Sequence, residues 1–304
     1  MPQHLLNDLL MYSPILLGPG LAHMNEEDLK ALEAAVQLLE TPGLAARLTD
    51  MVGKPIELIG KAVPASVSQE ITAAALNAIK LALKAALLTM RRKPKAASKL
   101  LHKALATATG AAGGAFGLPA LPVELPISTL IMFRSIADIA RSEGENLSAP
   151  ETALSCVEVF ALGGRAGSTD PSQSGYFVVR TALAKSVTEA AKYVAERGAI
   201  EEGAPALVRF LTQVGARFGL TLGEKVAAQA VPVLGALGGG AVNYVFIEHF
   251  QAMAQGHFTV RRLERKYGKS YVRTEYDRLC KKKPAVRREI AARRDERPGG
   301  HLSF

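Results

Sequence analysis

Apolar side chains recur at three- and four-residue intervals along almost the whole chain, which is the spacing that one face of an α-helix requires. The first such stripe covers residues 29–39. Asn25 precedes it in the position of an N-cap, Asp28 stands where a capping box has its acid, and the Thr-Pro-Gly of residues 41–43 follows it. The pattern therefore predicts a helix over residues 25–40.

The same spacing predicts helices through most of the remaining sequence, and segments rich in proline or glycine separate them. Only the Tyr-Phe-Val-Val of residues 176–179 resembles a strand, and it is too short and isolated to imply a sheet. The sequence therefore predicts an all-α multi-helix bundle. Its predicted helices are a short one that ends at Gly53, one that begins at Pro55, and others over residues 69–92, 96–113, 128–143, 150–163, 176–197, 204–230, 241–267 and 270–279.

The chain has 304 residues, which is close to the upper limit for one hydrophobic core. Residues 1–24 lack the basic start of a secretory signal, so we expect them to be a mature N-terminal arm. Residues 25–279 are expected to form a single helical domain with an exposed linker over residues 164–175, where Gly and Ser are frequent. Residues 280–304 are expected to be a flexible basic tail.

Two stretches of small and apolar residues carry almost no charge: residues 104–133, in which Glu124 is the one charged residue, and residues 226–247. Each contains glycines four residues apart, a spacing that lets helix backbones touch. Three alternatives stay open, namely a membrane-spanning hairpin, a hairpin buried in the core, and a hairpin that partly inserts at a membrane surface. Both stretches lead into amphipathic helices of matching spacing, which suggests a pseudo-twofold pair.

The formal net charge is +9, and the C-terminal part of the chain carries it. Residues 255–304 contain fifteen Lys or Arg and six Asp or Glu, whereas the first 254 residues contain 22 of each sign. Such a segment suits anionic lipid headgroups or nucleic acid, or is simply a solvated tail. The sequence has neither an aromatic platform nor a recognition-helix pattern, so we predict no nucleic-acid partner. The cations expected to attract lipid are Arg261, Arg265, Lys266, Lys269, Lys281, Lys282 and Lys283.

Polar residues among apolar neighbours form a candidate site. Arg134 and Asp138 are one helical turn apart, which is also the spacing of an ordinary ion pair. Glu158 lies in an apolar run and is either at the helix surface or the buried partner of an arginine. For residues 243–267, a polar network between helices is favoured over a metal or acid–base site. The whole candidate cluster is Arg134, Asp138, Glu158, Asn243, Glu248, His249, His257, Arg262 and Glu264.

Familiar catalytic, cofactor and metal motifs are missing from the sequence. His249 and His257 are eight residues apart, which turns them away from each other around a regular helix. The Gly-Lys-Ser of residues 268–270 resembles the end of a phosphate loop, but Leu263 stands where that loop requires its first glycine. The two cysteines have no metal-type spacing and suit a reducing compartment. We therefore predict no metal, no cofactor and no catalytic residues.

Three blocks of sequence carry a family resemblance. They are Gly53 to Glu57; Leu125 to Ala140, continued by Leu154 to Gly164 and Gly175 to Arg180; and Pro232 to Phe250, continued by Ala254 to Phe258 and Arg261 to Gly268. Together they span about residues 40–270 and resemble the EcsC family. That family is named after a gene that accompanies an ABC transporter linked to protein secretion, and its members are regarded as helical and membrane-associated. The resemblance implies the same for this chain and supplies no catalytic set.

The leading expectation is a helical protein without catalytic activity at the cytoplasmic face of the cell membrane. Its expected partner is anionic membrane lipid or a membrane protein such as a transporter, because a one-ended excess of cations accompanies two uncharged small-residue stretches. The alternative is a hydrolase or metal-dependent enzyme. That alternative requires Asp138, Glu158, His249 and His257 to meet in one concave pocket.

Overall fold

The computed structural model describes residues 23–40, 43–53, 65–89, 121–164, 174–197, 204–229 and 235–281. Within these ranges nine helices and no strand occur, which confirms the predicted all-α bundle. The helices are α1 (Glu26–Leu39), α2 (Leu44–Val52), α3 (Ala65–Thr89), α4 (Leu121–Ser142), α5 (Pro150–Leu162), α6 (Gly175–Arg197), α7 (Pro205–Gln229), α8 (Gly235–Tyr267) and α9 (269–281).

Several predicted features lie outside the described residues. They are most of the N-terminal arm, the helices predicted from Pro55 and over 96–113, most of the predicted linker, and the tail from residue 282 onward. The short 176–179 segment that resembles a strand is helical and belongs to the first turns of α6.

The N-terminal end of α1 confirms one prediction made from the sequence and contradicts another. The Asn25 side chain accepts a hydrogen bond from the Asp28 amide at 2.8 Å, which confirms Asn25 as the N-cap. The predicted capping box is wrong, because the Asp28 carboxylate binds Arg262, Lys266 and Tyr267 of α8 instead. The acid at this position therefore joins α1 to a distant part of the chain.

Two helices begin earlier than proline and glycine led us to predict. α4 begins at Leu121 and contains Pro126, although we expected a start at Ser128 or Thr129. α8 begins at Gly235 and includes the glycines that were expected to separate it from the preceding helix. A proline removes one backbone hydrogen bond from a helix, and a glycine increases the conformational entropy that the chain loses on folding. Both costs are local, and tertiary packing can override them.

α5 forms the centre of the bundle. Every residue from Thr152 to Leu162 is buried, and α3, α4, α6, α7 and α8 all pack around the helix. A helix that is apolar around its whole circumference is expected in the core of a large domain. Its Phe160 packs edge-on against Phe218 of α7, with ring centroids 4.8 Å apart, and also against Phe250 of α8 at 5.5 Å.

α3 and α7 approach each other closely at two glycines that our sequence analysis did not single out. A Cβ atom on Gly215 would lie 3.2 Å from Leu76, and one on Gly219 would lie 2.9 Å from the Thr72 hydroxyl oxygen. The two glycines are four residues apart, so both face α3. The four-residue glycine spacing that was noted in the two uncharged stretches therefore also occurs at the contact between α3 and α7.

The described parts of the two uncharged stretches contribute mainly to the core. Leu125, Phe133 and Phe246 are almost fully buried, whereas Ile127 and Tyr244 keep 46% and 41% of their surface exposed. Among the described residues, no helix combines the length and apolar character that crossing a bilayer demands. The proposed pseudo-twofold relation stays a prediction.

Candidate functional site

A chain of polar side chains crosses the interior between α5, α6 and α8. His257 of α8 has no exposed side-chain surface, and its Nε2 atom lies 3.9 Å from the Oε2 atom of Glu158 on α5, which is 6% exposed. On the other side of the imidazole ring, the Tyr176 hydroxyl lies 3.0 Å from Nδ1. Arg180 follows one turn later on α6 and donates to the Tyr176 oxygen at 3.1 Å. Two helices thus meet α5 through hydrogen-bonding groups inside an apolar core.

Arg180 forms a bidentate ion pair with Glu264 of α8. Its Nη1 and Nη2 atoms donate to the two carboxylate oxygens at 2.8 and 2.9 Å. The guanidinium carbon also lies 5.5 Å from the centre of the Tyr176 ring. Such a paired arrangement fixes the planes of both groups and therefore fixes the guanidinium that donates to the Tyr176 oxygen.

The hydrogen-bond partners of Tyr176 indicate which nitrogen of His257 carries the proton. A guanidinium can only donate, so the Tyr176 oxygen accepts from Arg180, and we assign its single hydrogen to the bond with His257 Nδ1. Since Nδ1 accepts, the proton of the neutral ring is on Nε2, which faces Glu158. Burial, followed by the charges of Arg180 and Arg261, lowers the pKa of His257 well below its usual value, so the ring is neutral.

Glu158 differs from an ordinary surface glutamate. Burial raises its pKa to about 7, and the opposing effects of Arg180 and Arg261 do not cancel the burial. At 3.9 Å the contact with His257 Nε2 is too long for a hydrogen bond. Among the described residues, Nε2 has no hydrogen-bond partner. Two titratable groups therefore face each other in the core without a bond between them.

Glu40 connects this chain of side chains to α9. One of its carboxylate oxygens accepts from Ser174 Oγ at 2.7 Å, from the Tyr276 hydroxyl at 3.0 Å and from the backbone N–H of Tyr176 at 3.3 Å. The first turn of α6 thus receives a negative charge, which its dipole favours. The Tyr276 ring of α9 stacks on the Tyr176 ring, with centroids 5.6 Å apart.

A second cluster neutralises the cations at the end of α8. Glu145 accepts from Nε and Nη2 of Arg261 at 2.8 and 3.2 Å, and it also binds Arg265. Burial would raise the pKa of Glu145, but the hydrogen bonds and charges of Arg261 and Arg265 lower it on balance. Gly144, whose φ is +80°, makes the turn that presents Glu145 to α8.

Asp28 completes the second cluster from α1. It accepts from Lys266 at 2.6 Å, Tyr267 at 2.8 Å and Arg262 at 3.0 Å, and Arg262 also binds Glu143 at 2.8 Å. Burial would raise the pKa of Asp28, yet the hydrogen bonds from Lys266, Tyr267 and Arg262 outweigh it and lower the pKa to about 2. Three of the cations that we predicted for lipid, Arg261, Arg265 and Lys266, are therefore paired with carboxylates of the same chain.

The predicted polar cluster is divided among several places. Glu158, His257 and Glu264 belong to the buried chain of polar side chains, and Arg262 belongs to the ionic cluster at the end of α8. The remaining members lie elsewhere: Asp138 accepts from Arg141 at 2.7 Å, Arg134 is exposed, Asn243 is buried, Glu248 pairs with Arg47, and His249 lies against the carbonyl of Gly163 at 2.7 Å.

The described residues do not group three or more His, Cys, Asp or Glu side chains in a way that could hold a metal ion. Sequence reasoning also missed Tyr176 and Arg180, the two residues that orient His257. A signal was present, because both lie in the Gly175 to Arg180 block that resembles the EcsC family. A tyrosine and an arginine one turn apart are nevertheless common on exposed helix faces, so spacing alone did not distinguish them.

His249 gives a pH-dependent contribution to stability that can be measured by itself. A carbonyl only accepts, so Nε2 donates to Gly163, and burial lowers the pKa of the ring to about 4. Unfolded histidine takes up a proton near pH 6.5, so stability is lost as the pH falls from there toward 4. We expect the gap in unfolding free energy between wild type and His249→Gln to narrow by about 3 kcal/mol between pH 7 and 4.

The measurement is urea denaturation at a series of pH values. His23→Gln serves as the control because it makes the same substitution at an exposed histidine. Parallel stability curves for wild type and His249→Gln would contradict the burial of a neutral imidazole at this position.

Comparison with known proteins gives one match. The model of the EcsC protein family matches residues 26–263, which includes every helix from α1 to most of α8 and both partners of the Glu158–His257 contact. Neither a curated protein nor a solved structure matches the chain. Since the match covers more than half of the sequence, and since the helical fold agrees with what the resemblance implied, the chain belongs to the EcsC protein family.

Proposed function

We propose that this EcsC family protein binds the anionic surface of the cytoplasmic membrane face through the cationic part of the chain that follows α8, and that it does so without catalysis. The observation that carries the proposal is the segregation of charge. Residues 255–304 hold fifteen basic and six acidic residues, whereas the rest of the chain is neutral overall. A cationic segment next to anionic lipid is attracted over about a Debye length, so even an unstructured segment can contribute.

The ion pairs narrow the set of cations on which the proposal depends. Arg261, Arg265 and Lys266 already face Asp28 and Glu145, which neutralise much of the field that a headgroup would meet. Lys269 and Lys281 on α9 are exposed, and the sequence continues with Lys282 and Lys283. We therefore assign the attraction to Lys269, Lys281, Lys282 and Lys283 rather than to the end of α8.

Cosedimentation with vesicles that contain phosphatidylserine tests the proposal. We expect binding at moderate salt and none to neutral phosphatidylcholine vesicles. Each lysine near the surface contributes about a fivefold gain in affinity, so removing several charges should reduce binding by at least tenfold. The test variant replaces Lys269, Lys281, Lys282 and Lys283 with glutamine.

The matched control removes the same number of charges from exposed lysines elsewhere, with Lys80, Lys84, Lys185 and Lys192 replaced by glutamine. This control should bind nearly as well as wild type. Equal loss in both variants would mean that net charge alone drives binding, and absence of wild-type binding to anionic vesicles would overturn the proposal. If the protein binds only membranes that contain a particular transporter or other protein, the partner is that protein rather than lipid.

The second candidate is a hydrolase or metal-dependent enzyme, and one observation favours it, namely the contact between Glu158 and His257. An acid and an imidazole that face each other are common in acid–base sites. Both side chains, however, lie inside the bundle, with at most 6% of the side-chain surface exposed. A substrate would reach them only if the surrounding helices moved apart, so we favour binding over catalysis.

A further inference from the structure

We propose that Glu158 and His257 form a buried proton switch that controls how firmly α9 docks on the bundle. The imidazole Nε2 atom lies 3.9 Å from the carboxyl group, and in the tautomer assigned above it carries the ring proton. When Glu158 releases its proton to solvent, the carboxylate becomes a strong acceptor, and the Nε2–H becomes its nearest donor. No electron transfer or further reactant is involved, since His257 keeps its proton and only donates a hydrogen bond.

The gap between the two groups is the geometric basis of the switch. A hydrogen bond between nitrogen and oxygen needs about 2.7–3.2 Å, so the pair has to close by roughly 1 Å. The pair therefore fits two neutral groups as it stands and has to rearrange when one of them ionises.

Neighbouring charges do not remove the need for this rearrangement. From α6, Arg180 faces the pair but is bound by Glu264 of α8. From α8, Arg261 also acts on the pair, and Glu145 of the turn before α5 binds it in turn. Each cation is thus already paired with another carboxylate. Burial therefore remains the dominant influence on Glu158 and raises its pKa to about 7.

The other helices around α5 carry charged groups that belong to different environments. α7 contributes the buried Lys225, whose ammonium lies 5.2 Å from the Phe246 ring centre. On α3 and α4 the charged side chains whose burial the structure describes are exposed or form their own pairs: Glu70, Lys80, Lys84 and Arg134 are exposed, and Asp138 pairs with Arg141.

Tyr176 transmits the movement to α9. Its hydroxyl donates to Nδ1 of His257, so a ring that moves toward Glu158 lengthens or breaks that bond. Its ring stacks on Tyr276, and its backbone N–H shares the Glu40 carboxylate oxygen with the Tyr276 hydroxyl. α9 therefore docks on the same residue that senses the position of His257. Ionisation of Glu158 is expected to weaken the docking of α9.

Hydrogen–deuterium exchange of the full chain, without lipid, tests this inference. After correction for intrinsic exchange rates, amides of residues 269–281 should exchange about fivefold faster at pH 8 than at pH 6, the change expected when one hydrogen bond is lost. In Glu158→Gln, which keeps the neutral form at every pH, that pH dependence should disappear. Glu151→Gln, at an exposed position in the first turn of the same helix, is the matched control and should behave as wild type.

Infrared spectroscopy keeps the test decisive if Glu158→Gln folds poorly. Wild type should show a protonated-carboxyl band at pH 6 that decreases by pH 8, and Tyr176→Phe should retain this titration while residues 269–281 lose their pH-dependent exchange. The inference is overturned if wild-type α9 exchanges equally at both pH values, if Glu158→Gln keeps the wild-type pH dependence, or if no buried carboxyl titrates. None of these outcomes involves vesicles, so failure here is distinct from failure of the proposed membrane function.

Discussion

Replacing Arg180 with alanine is expected to lower the free energy of unfolding by about 3–5 kcal/mol. The change leaves the Glu264 carboxylate inside the bundle without its two hydrogen-bond donors and removes the donor that orients Tyr176. An uncompensated buried charge is costly because neither water nor another ion replaces the lost partner. Urea or guanidinium denaturation with a circular-dichroism readout measures the effect.

Two further variants distinguish loss of the buried pair from general damage. Arg209→Ala breaks an exposed pair with Glu189 and should cost less than about 1 kcal/mol. Replacing Arg180 with methionine and Glu264 with leucine together removes both charges, and this double variant should recover much of the loss. If Arg180→Ala costs no more than Arg209→Ala, the ion pair is not the buried structural element that the distances indicate.

Replacing Gly163 with alanine is expected to destabilise the protein by about 1–3 kcal/mol. The new methyl group would lie 2.5 Å from the nearest ring carbon of Phe250, a distance that real side chains do not reach. Phe250 cannot move aside easily, because it is fully buried against Phe160, Phe218 and Phe246. Overpacking a core of this kind forces side chains out of their preferred rotamers.

Gly223 provides the matched control for this substitution. It lies inside α7, and a Cβ atom there meets nothing within 4 Å. Gly223→Ala should therefore stabilise the protein by about 0.5–1 kcal/mol, since alanine has the higher helix propensity and nothing opposes it. Thermal or chemical denaturation that ranks the two variants in the opposite order would contradict the packing around Phe250.

Helical periodicity allowed the fold to be predicted from sequence. Proline and glycine residues, which disfavour helix locally, led to wrong predictions for some helix ends. The stripe over residues 29–39 and the Asn25 cap follow from interactions within a few residues, which is why they could be predicted. The starts of α4 and α8 could not, because they depend on packing against distant helices that outweighs the local costs of Pro126 and of a run of glycines.

The candidate site was predictable in part for a similar reason. Glu158 and His257 attracted notice because ionisable residues in apolar surroundings are unusual. Their approach to within 3.9 Å is a contact across 99 positions of sequence, which periodicity does not encode. The same holds for the cations of α8, because Glu145 and Asp28, which neutralise them, are more than a hundred residues away along the chain.

α9 extends the structure beyond the part of the chain that the family model matches. The match ends at residue 263, whereas α9 buries Val272 and Tyr276 completely and joins the Glu40 carboxylate. Burial of a side chain of this size stabilises the docked helix by about 1.5–3 kcal/mol. The cationic segment of the proposed membrane function therefore begins on a helix that is part of the core, and that helix fixes where the cations emerge.

Hydrogen–deuterium exchange with and without phosphatidylserine vesicles tests the central claim most directly, because it locates the contact as well as detecting it. The account predicts that vesicles slow the exchange of residues 269–304 and leave the central helix, residues 150–162, unchanged. Slower exchange confined to residues 121–142 and 235–247, or no difference anywhere in a sample that contains anionic vesicles in excess, would contradict it.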